Sequence, residues 1–306
     1  MEQPLRYPQS VRLREVGPRD GIQSERAHLP TASKVALIDA LSATGLRRIE
    51  ATSFVSPSAV PQMSDAAEVM KGISRRDGVV YSALVPNGKG AERAVEARAD
   101  ALQVFVAATD SYNKANVGKT VSDSIADVAD VVRVGRSAGI AVEGTVSTAF
   151  GCPYEGDDAP TRVVDVSRAL VDEGVGAISY GDTTGMATPA RVERVVEALH
   201  EHLPALDINL HFHDTRGTGL ANVVTALVLG IDYFDASIGG LGGSPFARGA
   251  TGNIATEDLV HMLDDMGIAT AVDLVALLDA ARMAEELLGR ELPGKLLRAG
   301  PRSTAP

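Results

Sequence analysis

Eight short runs rich in β-branched and apolar residues recur along the chain, at 11–17, 47–54, 79–87, 101–109, 141–150, 177–185, 208–215 and 233–240. Between them the periodicity is helical. Val35, Leu37, Ile38 and Leu41 fall on one face over 33–44, as do Ile125, Val128, Val131 and Val132 over 122–138. Strands that alternate with helices run parallel, because each crossover must travel back along the sheet. Gly45, Gly139, Gly174 and Gly230 stand just ahead of strand runs, where a helix leaves through a left-handed residue. Eight such units of roughly 30 residues predict an α/β chain closed as a (β/α)8 TIM barrel. No linker or low-complexity stretch divides the 306 residues, so 1–306 reads as one domain, with extra C-terminal helices over 254–290 and a loose tail at 294–306.

In such a barrel, chemistry sits at the C-terminal ends of the strands. The unusual polar residues of this chain fall there: Arg19 and Asp20 after the first run, Glu50 in the second, Asn87 after the third, Asp182 after the sixth, His211 and His213 in the seventh. Composition removes several alternatives. With 29 Lys and Arg against 40 Asp and Glu, no Trp and few aromatics, the chain lacks both the basic footprint and the stacking platforms of nucleic-acid binding. A single cysteine, Cys152, excludes an intrachain disulfide and a thiolate metal cluster. No apolar run reaches the ~18 residues of a membrane span. The opening segment also lacks the basic-then-apolar order of a signal peptide, so the expected compartment is the cytoplasm.

His211-Phe212-His213 interrupts an apolar run, and alternate residues of a strand share a face, so both imidazoles point the same way. Two neighbouring imidazoles are costly to bury without a cation and suit a divalent metal; the competing reading is one packed histidine and one facing solvent. His200-Glu201-His202 has the same spacing at a helix end, where i and i+2 do not share a face, and reads as surface. Asp20, in EVGPRDG, supplies a third hard ligand, with Gly17 and Gly21 allowing the bend. An Asp beside two His favours Mg²⁺ or Mn²⁺, with Zn²⁺ and Co²⁺ as alternatives. Taken singly, the Arg19-Asp20 pair also reads as a solvated turn ion pair. Residues 239–253 hold glycines at 239, 240, 242, 243, 249 and 252, which permit close backbone approach or loop motion, while the absence of GxxxxGK[ST] rules out a P-loop.

Six segments stand out together: EVGPRDGIQSE (15–25), IEATSFVSPSAVPQM (49–63), GCPYEG (151–156), SYGDTTGMATP (179–189), HFHDTRGTGLAN (211–222) and GNIATEDLVHML (252–263). As a set they resemble the hydroxymethylglutaryl-CoA lyase family of metal-dependent barrel lyases. The likeness runs from 11 to about 289. Isopropylmalate and homocitrate synthases share the Arg-Asp and HxH elements, but TSFVSP and GCPYEG point to the lyase branch. The resemblance implies a metal held by Asp20, His211, His213 and the amide oxygen of Asn253, with Arg19 beside it. It also implies that Glu50, Gln23 and Asp182 surround the reacting part of the substrate, with Glu50 facing inward to anchor Arg19. Ser244 stands where the family loop carries a cysteine that handles protons, and a serine hydroxyl is far less acidic than a thiol of pKa about 8.5.

The implied reaction is retro-Claisen cleavage of a 3-hydroxyacyl-CoA to acetyl-CoA and a keto acid, acetoacetate in the hydroxymethylglutaryl case. Asp20 or His211 would serve as base, Arg19 would stabilise the enolate, and Ser244 or a water would return the proton. The acyl-CoA substrate would lie across the barrel mouth, with Lys114, Asn116 and Lys119 as contacts unless that segment is simply a solvated loop. A homo-oligomer, dimer or larger, is expected. Three rivals stand beside this reading: cleavage of another thioester such as citramalyl-CoA, a condensing enzyme or aldolase of the wider superfamily, and a metal- or acyl-CoA-binding protein that has lost catalysis. The two-His-one-carboxylate set also fits non-haem iron oxygenases, whose ligands usually sit on another fold.

Overall fold

The computed structural model describes residues 7–25, 27–156, 159–243 and 252–302. Eight parallel strands close on themselves in chain order: β1 (Arg12–Glu15), β2 (Arg48–Ser53), β3 (Val80–Leu84), β4 (Ala101–Ala107), β5 (Ala141–Ser147), β6 (Ala177–Gly181), β7 (Asp207–His211) and β8 (Tyr233–Ala236), with β8 pairing back to β1. Each lies inside the run that predicts it, except that β7 begins one residue earlier, and most end several residues sooner. The surplus residues leave the ladder at the mouth, where they become side-chain carriers.

The helices are α1 (Thr31–Ser42), α2 (Ala66–Gly72), α3 (Gly88–Glu96), α4 (Asp110–Val117), α5 (Val121–Ala138), α6 (Pro160–Glu173), α7 (Pro189–His202), α8 (Gly219–Val228), α9 (Thr256–Asp265), α10 (Leu274–Leu288) and α11 (Leu296–Ala299). The four glycines expected at helix exits all adopt positive φ. α10 packs against α1 and so covers the seam between the two ends of the barrel.

The outward faces of the strands form the main core. On β7, Ile208 and Leu210 are buried there with Phe212 just beyond, and the Phe212 ring lies 5.6 Å from that of Phe150. The inward faces carry something else. Arg14, Arg48, Gln103, Glu143, Ser179, Asn209, His211 and Asp235, from every strand but β3, are joined by hydrogen bonds and ion pairs. The inside of this barrel is thus a polar network where aliphatic layers are usual.

The tail departs from expectation. Backbone N–H groups of Lys295 and Leu296 donate to the two carboxylate oxygens of Asp258 at 2.9 and 2.7 Å, and Lys295 Nζ donates to Asp214 Oδ2 at 2.7 Å. Gly294 N donates to Gly239 O at 2.9 Å. Residues 294–300 are therefore pinned over the mouth rather than loose. The anchoring is mostly by backbone donors, which leave no apolar periodicity to read.

Two buried carboxyls brace the chain as it leaves β8. Glu15 Oε1 accepts from Gly17 N at 2.7 Å and Ile238 N at 2.8 Å, and its Oε2 accepts from Thr256 Oγ1 at 2.6 Å. Glu257 Oε2 accepts from Gly239 N at 3.0 Å. Burial pushes Glu15 up to about 7 and, with the Glu15 charge adding, Glu257 up to about 8. A carboxyl raised in this way favours the folded state while protonated, and that contribution is lost as pH rises through the folded value. The melting temperature of the metal-free protein should therefore fall as pH rises through about 8, and Glu257→Gln should flatten the fall. Equal slopes in the two proteins, followed by thermal unfolding across that range, would remove Glu257 as the titrating group.

Candidate active site

Beyond β1 the chain makes one π-helical turn, Gly17–Gly21, in which Val16 O accepts from the N–H groups of Arg19, Asp20 and Gly21 at 3.1, 2.7 and 3.3 Å. Such turns concentrate at functional sites because they twist consecutive side chains out of helical register. Both glycines are needed for space. A Cβ on Gly17 would sit 2.6 Å from Glu15 Oε1, and one on Gly21 would sit 2.7 Å from Leu241 Cβ. The turn aims Arg19 and Asp20 at the barrel axis. Arg19 Nη1 donates to Asp20 Oδ1 at 2.8 Å, and Nη2 lies 2.7 Å from Glu50 Oε2. Glu50 occupies a register irregularity between β2 and β3 and is buried behind the guanidinium. Its place is that of an anchor for Arg19, as its inward position in the sequence suggests.

β7 ends at His211, so His213 lies beyond the strand, yet the two rings still meet. Their centroids are 5.2 Å apart and their Nε2 atoms 3.2 Å apart. An isolated bridge between His213 and Asn253 maintains the alternation after the strand stops. Asn253 Nδ2 donates to Asp20 Oδ2 and to Leu241 O, both at 2.8 Å, while its Oδ1 is buried without a hydrogen-bond partner among the described residues. One ligand atom from each of Asp20, His211 and His213 lies within 4.8 Å of the others.

The electrostatics of this cluster suit a cation. Burial disfavours the Asp20 charge, but Arg19 and the two histidines outweigh it and hold the carboxyl below its ordinary range. Burial and the neighbouring His211 lower His213 to about 4, leaving its imidazole neutral with a lone pair to give. Burial also opposes charge on His211, yet the hydrogen bond to Asp235 and that carboxylate's charge raise it. A carboxylate and two imidazoles within 4.8 Å of one another, with the Asn253 amide, its oxygen orphaned, bonded to that carboxylate, form a ligand set for a divalent metal.

A cavity of about 860 Å³ opens above the cluster, lined by Arg19, Asp20, Gln23, Asn116, His211 and His213 among others. Gln23 and Asn116 thus share one space with the ion cluster. Lys119 also lines it and pairs with Asp127, whereas Lys114 is turned to solvent, 3.6 Å from Asp110, and does not line it. Asp182 is buried beside the wall formed by Gly181 and Thr183. Its Oδ1 accepts from Ala187 N at 2.8 Å, its Oδ2 has no partner among the described residues, and burial pushes it up to about 7. Ser244 lies outside the described residues. His200 and His202 are exposed, as their helical spacing implies.

Three residues at the site escape sequence reading. Glu15 braces the turn, and Arg14 and Asp235 meet under His211, with Arg14 Nη2 2.7 Å from Asp235 Oδ2. A signal was available in RLRE and YFDA, where charged residues interrupt barrel strands.

Comparison with known proteins agrees with this geometry. The HMGL-like family model matches residues 10–284. YngG, a hydroxymethylglutaryl-CoA lyase of Bacillus subtilis, is 48% identical over 292 residues, which cover 95% of this chain and 98% of the relative. The mitochondrial hydroxymethylglutaryl-CoA lyase of Bos taurus is 45% identical over 293 residues, 96% of this chain and 90% of the relative. A solved lyase from Acinetobacter baumannii, in complex with coenzyme A and 3-methylmalate, superposes with a TM-score of 0.93 at 43% identity, covering 100% of this chain and 99% of that one. A single closed barrel with these residues at its mouth, matched end to end at this level of identity, belongs to the HMGL-like family, and within it to the hydroxymethylglutaryl-CoA lyases.

Proposed function

We propose that the protein cleaves 3-hydroxy-3-methylglutaryl-CoA to acetyl-CoA and acetoacetate. The observation that carries this reading is Arg19, held by Asp20 and Glu50 at the wall of the cavity that also contains the ligand cluster. A protein that only bound an acyl-CoA or a metal would have no use for a buried guanidinium fixed there. Asp20, His211, His213 and Asn253 would hold the cation, Mg²⁺ or Mn²⁺ on this mixed oxygen and nitrogen set. Bound there, a divalent ion would supply Lewis acidity that lowers the pKa of the substrate's tertiary hydroxyl.

The chain's own residues do the rest. The hydroxyl proton passes to a base, the C2–C3 electron pair moves into the thioester as an enolate, acetoacetate departs, and the enolate carbon takes a proton to become acetyl-CoA. Asp20 and His211, the sequence's candidates for the base, are themselves ligands in this reading. That shifts attention to Asp182, whose value near 7 and unpartnered Oδ2 suit proton exchange at neutral pH. Arg19, always charged, faces the developing enolate oxygen, and its own Nε has no partner among the described residues. Gln23 and Asn116 line the path by which the thioester and its coenzyme A would enter.

Three variants test these roles with purified protein. His213→Ala should lose bound metal, measured by mass spectrometry, together with activity, while the far-ultraviolet spectrum stays native; unchanged metal content would dismantle the site. Arg19→Gln should keep the metal but lose roughly 10²–10³-fold in kcat, the usual cost of one positioned donor to a developing oxyanion. It should also melt earlier, because Glu50 loses its partner. A near-normal kcat in that variant would take Arg19 out of the reaction.

Ser244→Cys addresses the proton return. If hydroxymethylglutaryl-CoA is the substrate, the thiol should raise kcat, and the gain should shrink on acidification as the thiolate fraction falls. If citramalyl-CoA is cleaved instead, the cysteine should bring nothing on that thioester. Equal rates for serine and cysteine on both substrates would mark the position as a bystander.

A further inference from the structure

We infer that Asp235, gripped by Arg14, is the positioning residue that fixes the His211 ring in the tautomer whose Nε2 lone pair faces the ion cluster. Asp235 lies at the end of β8, opposite His211 in the β7–β8 register, and is buried on the barrel axis. Its Oδ1 accepts from Arg14 Nε at 2.8 Å and from Asn209 Nδ2 at 2.6 Å. Its Oδ2 accepts from Arg14 Nη2 at 2.7 Å and Ser179 Oγ at 3.0 Å, and faces His211 Nδ1 at 3.2 Å. A carboxylate between the two N–H groups of a guanidinium can only accept. The imidazole nitrogen that faces it therefore carries the ring proton, and the other nitrogen, Nε2, is bare. That bare atom is the one 3.2 Å from His213 Nε2.

The grip extends below. Arg14 Nη1 reaches Glu143 Oε2 at 3.2 Å, and Glu143 is held in turn by Gln103 Nε2 at 2.7 Å and by Arg48. Arg14 is thus tethered on two sides, which leaves Asp235 one orientation. His213 has no comparable support: its Nδ1 is buried without a partner among the described residues. The two imidazoles are therefore unequal. His211 is set from beneath by the barrel interior, whereas no such partner faces the His213 ring from below among the described residues.

Asparagine at 235 tests this by reversing one hydrogen bond. The Oδ1 position faces two donors, Arg14 Nε and Asn209 Nδ2, whereas the Oδ2 position faces one fixed donor, Arg14 Nη2, beside Ser179 Oγ and His211 Nδ1, which can both turn to accept, so the new NH₂ falls where Oδ2 faces His211. An amide donating to Nδ1 drives the ring proton to Nε2, where it blocks the ligand position. Asp235→Asn should consequently weaken Mn²⁺ binding to the metal-free protein by roughly 10–100-fold, the usual cost of losing such an orienting partner. The Arg14→Met/Asp235→Asn double variant does the same without leaving Arg14 unpaired, and so covers the case in which the single variant fails to fold.

The inference rests on the cation site proposed above, and two measurements separate their fates. Titration of the wild-type protein with Mn²⁺ tests the site. The ¹⁵N spectrum of metal-free protein at alkaline pH tests the tautomer with no cation present. The wild type should show His211 protonated on Nδ1, and the variants should show it protonated on Nε2, a change that general loss of packing does not produce. An Nε2-protonated His211 in the wild type overturns the inference without any variant. Wild-type Mn²⁺ affinity in a folded Asp235→Asn or double-variant protein overturns it as well.

Discussion

Burying charge in the middle of a barrel constrains everything above it. An unpaired guanidinium or carboxylate in that position is strongly destabilising, because nothing replaces the water it has lost. Arg14 therefore needs Asp235, Arg48 needs Glu143, and each carboxylate fills its remaining lone pairs from Gln103, Asn209, Ser179 or His211. Partners so numerous leave each side chain very little rotamer freedom. The network gives up the aliphatic filling that would stabilise the barrel more simply and yields a rigid polar floor under the mouth. His211 is the point where that floor meets the site.

The rest of the mouth is assembled from several interlocking clamps. Arg19 and Asp20 come from a turn whose shape depends on Val16 O collecting three N–H donors and on two glycines lying against Glu15 and Leu241. Asn253 comes from the far side of the barrel exit, where Gly252 O accepts from Asp214 N at 3.0 Å. Gly252 permits that path because any Cβ there would lie 2.4 Å from Gly240 O, with φ at +118°. The C-terminal segment holds both ends of the same exit, through Gly294 on Gly239 and Lys295 on Asp214. Three stretches distant in sequence thus meet at Asp20, His213 and Asn253, held to one another by the Asn253 hydrogen bond to Asp20 and the His213–Asn253 bridge.

What the sequence discloses follows from which forces leave a periodic trace. Strand and helix alternation arises from burial on both faces of a parallel sheet, so all eight strands and the long helices are legible as runs. The HxH pair is legible because a strand's two-residue period brings both rings to one side, even though the strand itself stops at His211. Pinning of the tail by Asp258 and Asp214 is silent, because backbone N–H groups do the work and any residue type supplies them. Arg14 and Asp235 leave a faint trace, a charge inside a β-rich run. Their meaning depends on the cross-barrel register, which pairs Arg14 with Asp235 directly and His211 with Asp235 on the other side. Local pattern contains no register.

That register also joins the polar floor to the cluster above it. Asp235 stands level with Arg14 on one neighbouring strand and with His211 on the other, so one carboxylate bridges the floor and the cluster. Below it each charged side chain has an ion-pair partner, although Arg48 Nε, Gln103 Oε1 and Asn209 Oδ1 are buried without hydrogen bonds among the described residues. At the level of the cluster the same holds for Asn253 Oδ1, Asp182 Oδ2, His213 Nδ1 and Arg19 Nε. Such groups are few in native interiors, and each calls for an explanation. Two of these four residues, Arg19 and His213, line the cavity, and His213 and Asn253 are proposed metal ligands, so the unpartnered atoms border the space a ligand would occupy. The saturated Asp235 and the unsatisfied ring above it are two parts of one arrangement, since unpartnered donors and acceptors keep their direction only if what lies beneath them cannot move.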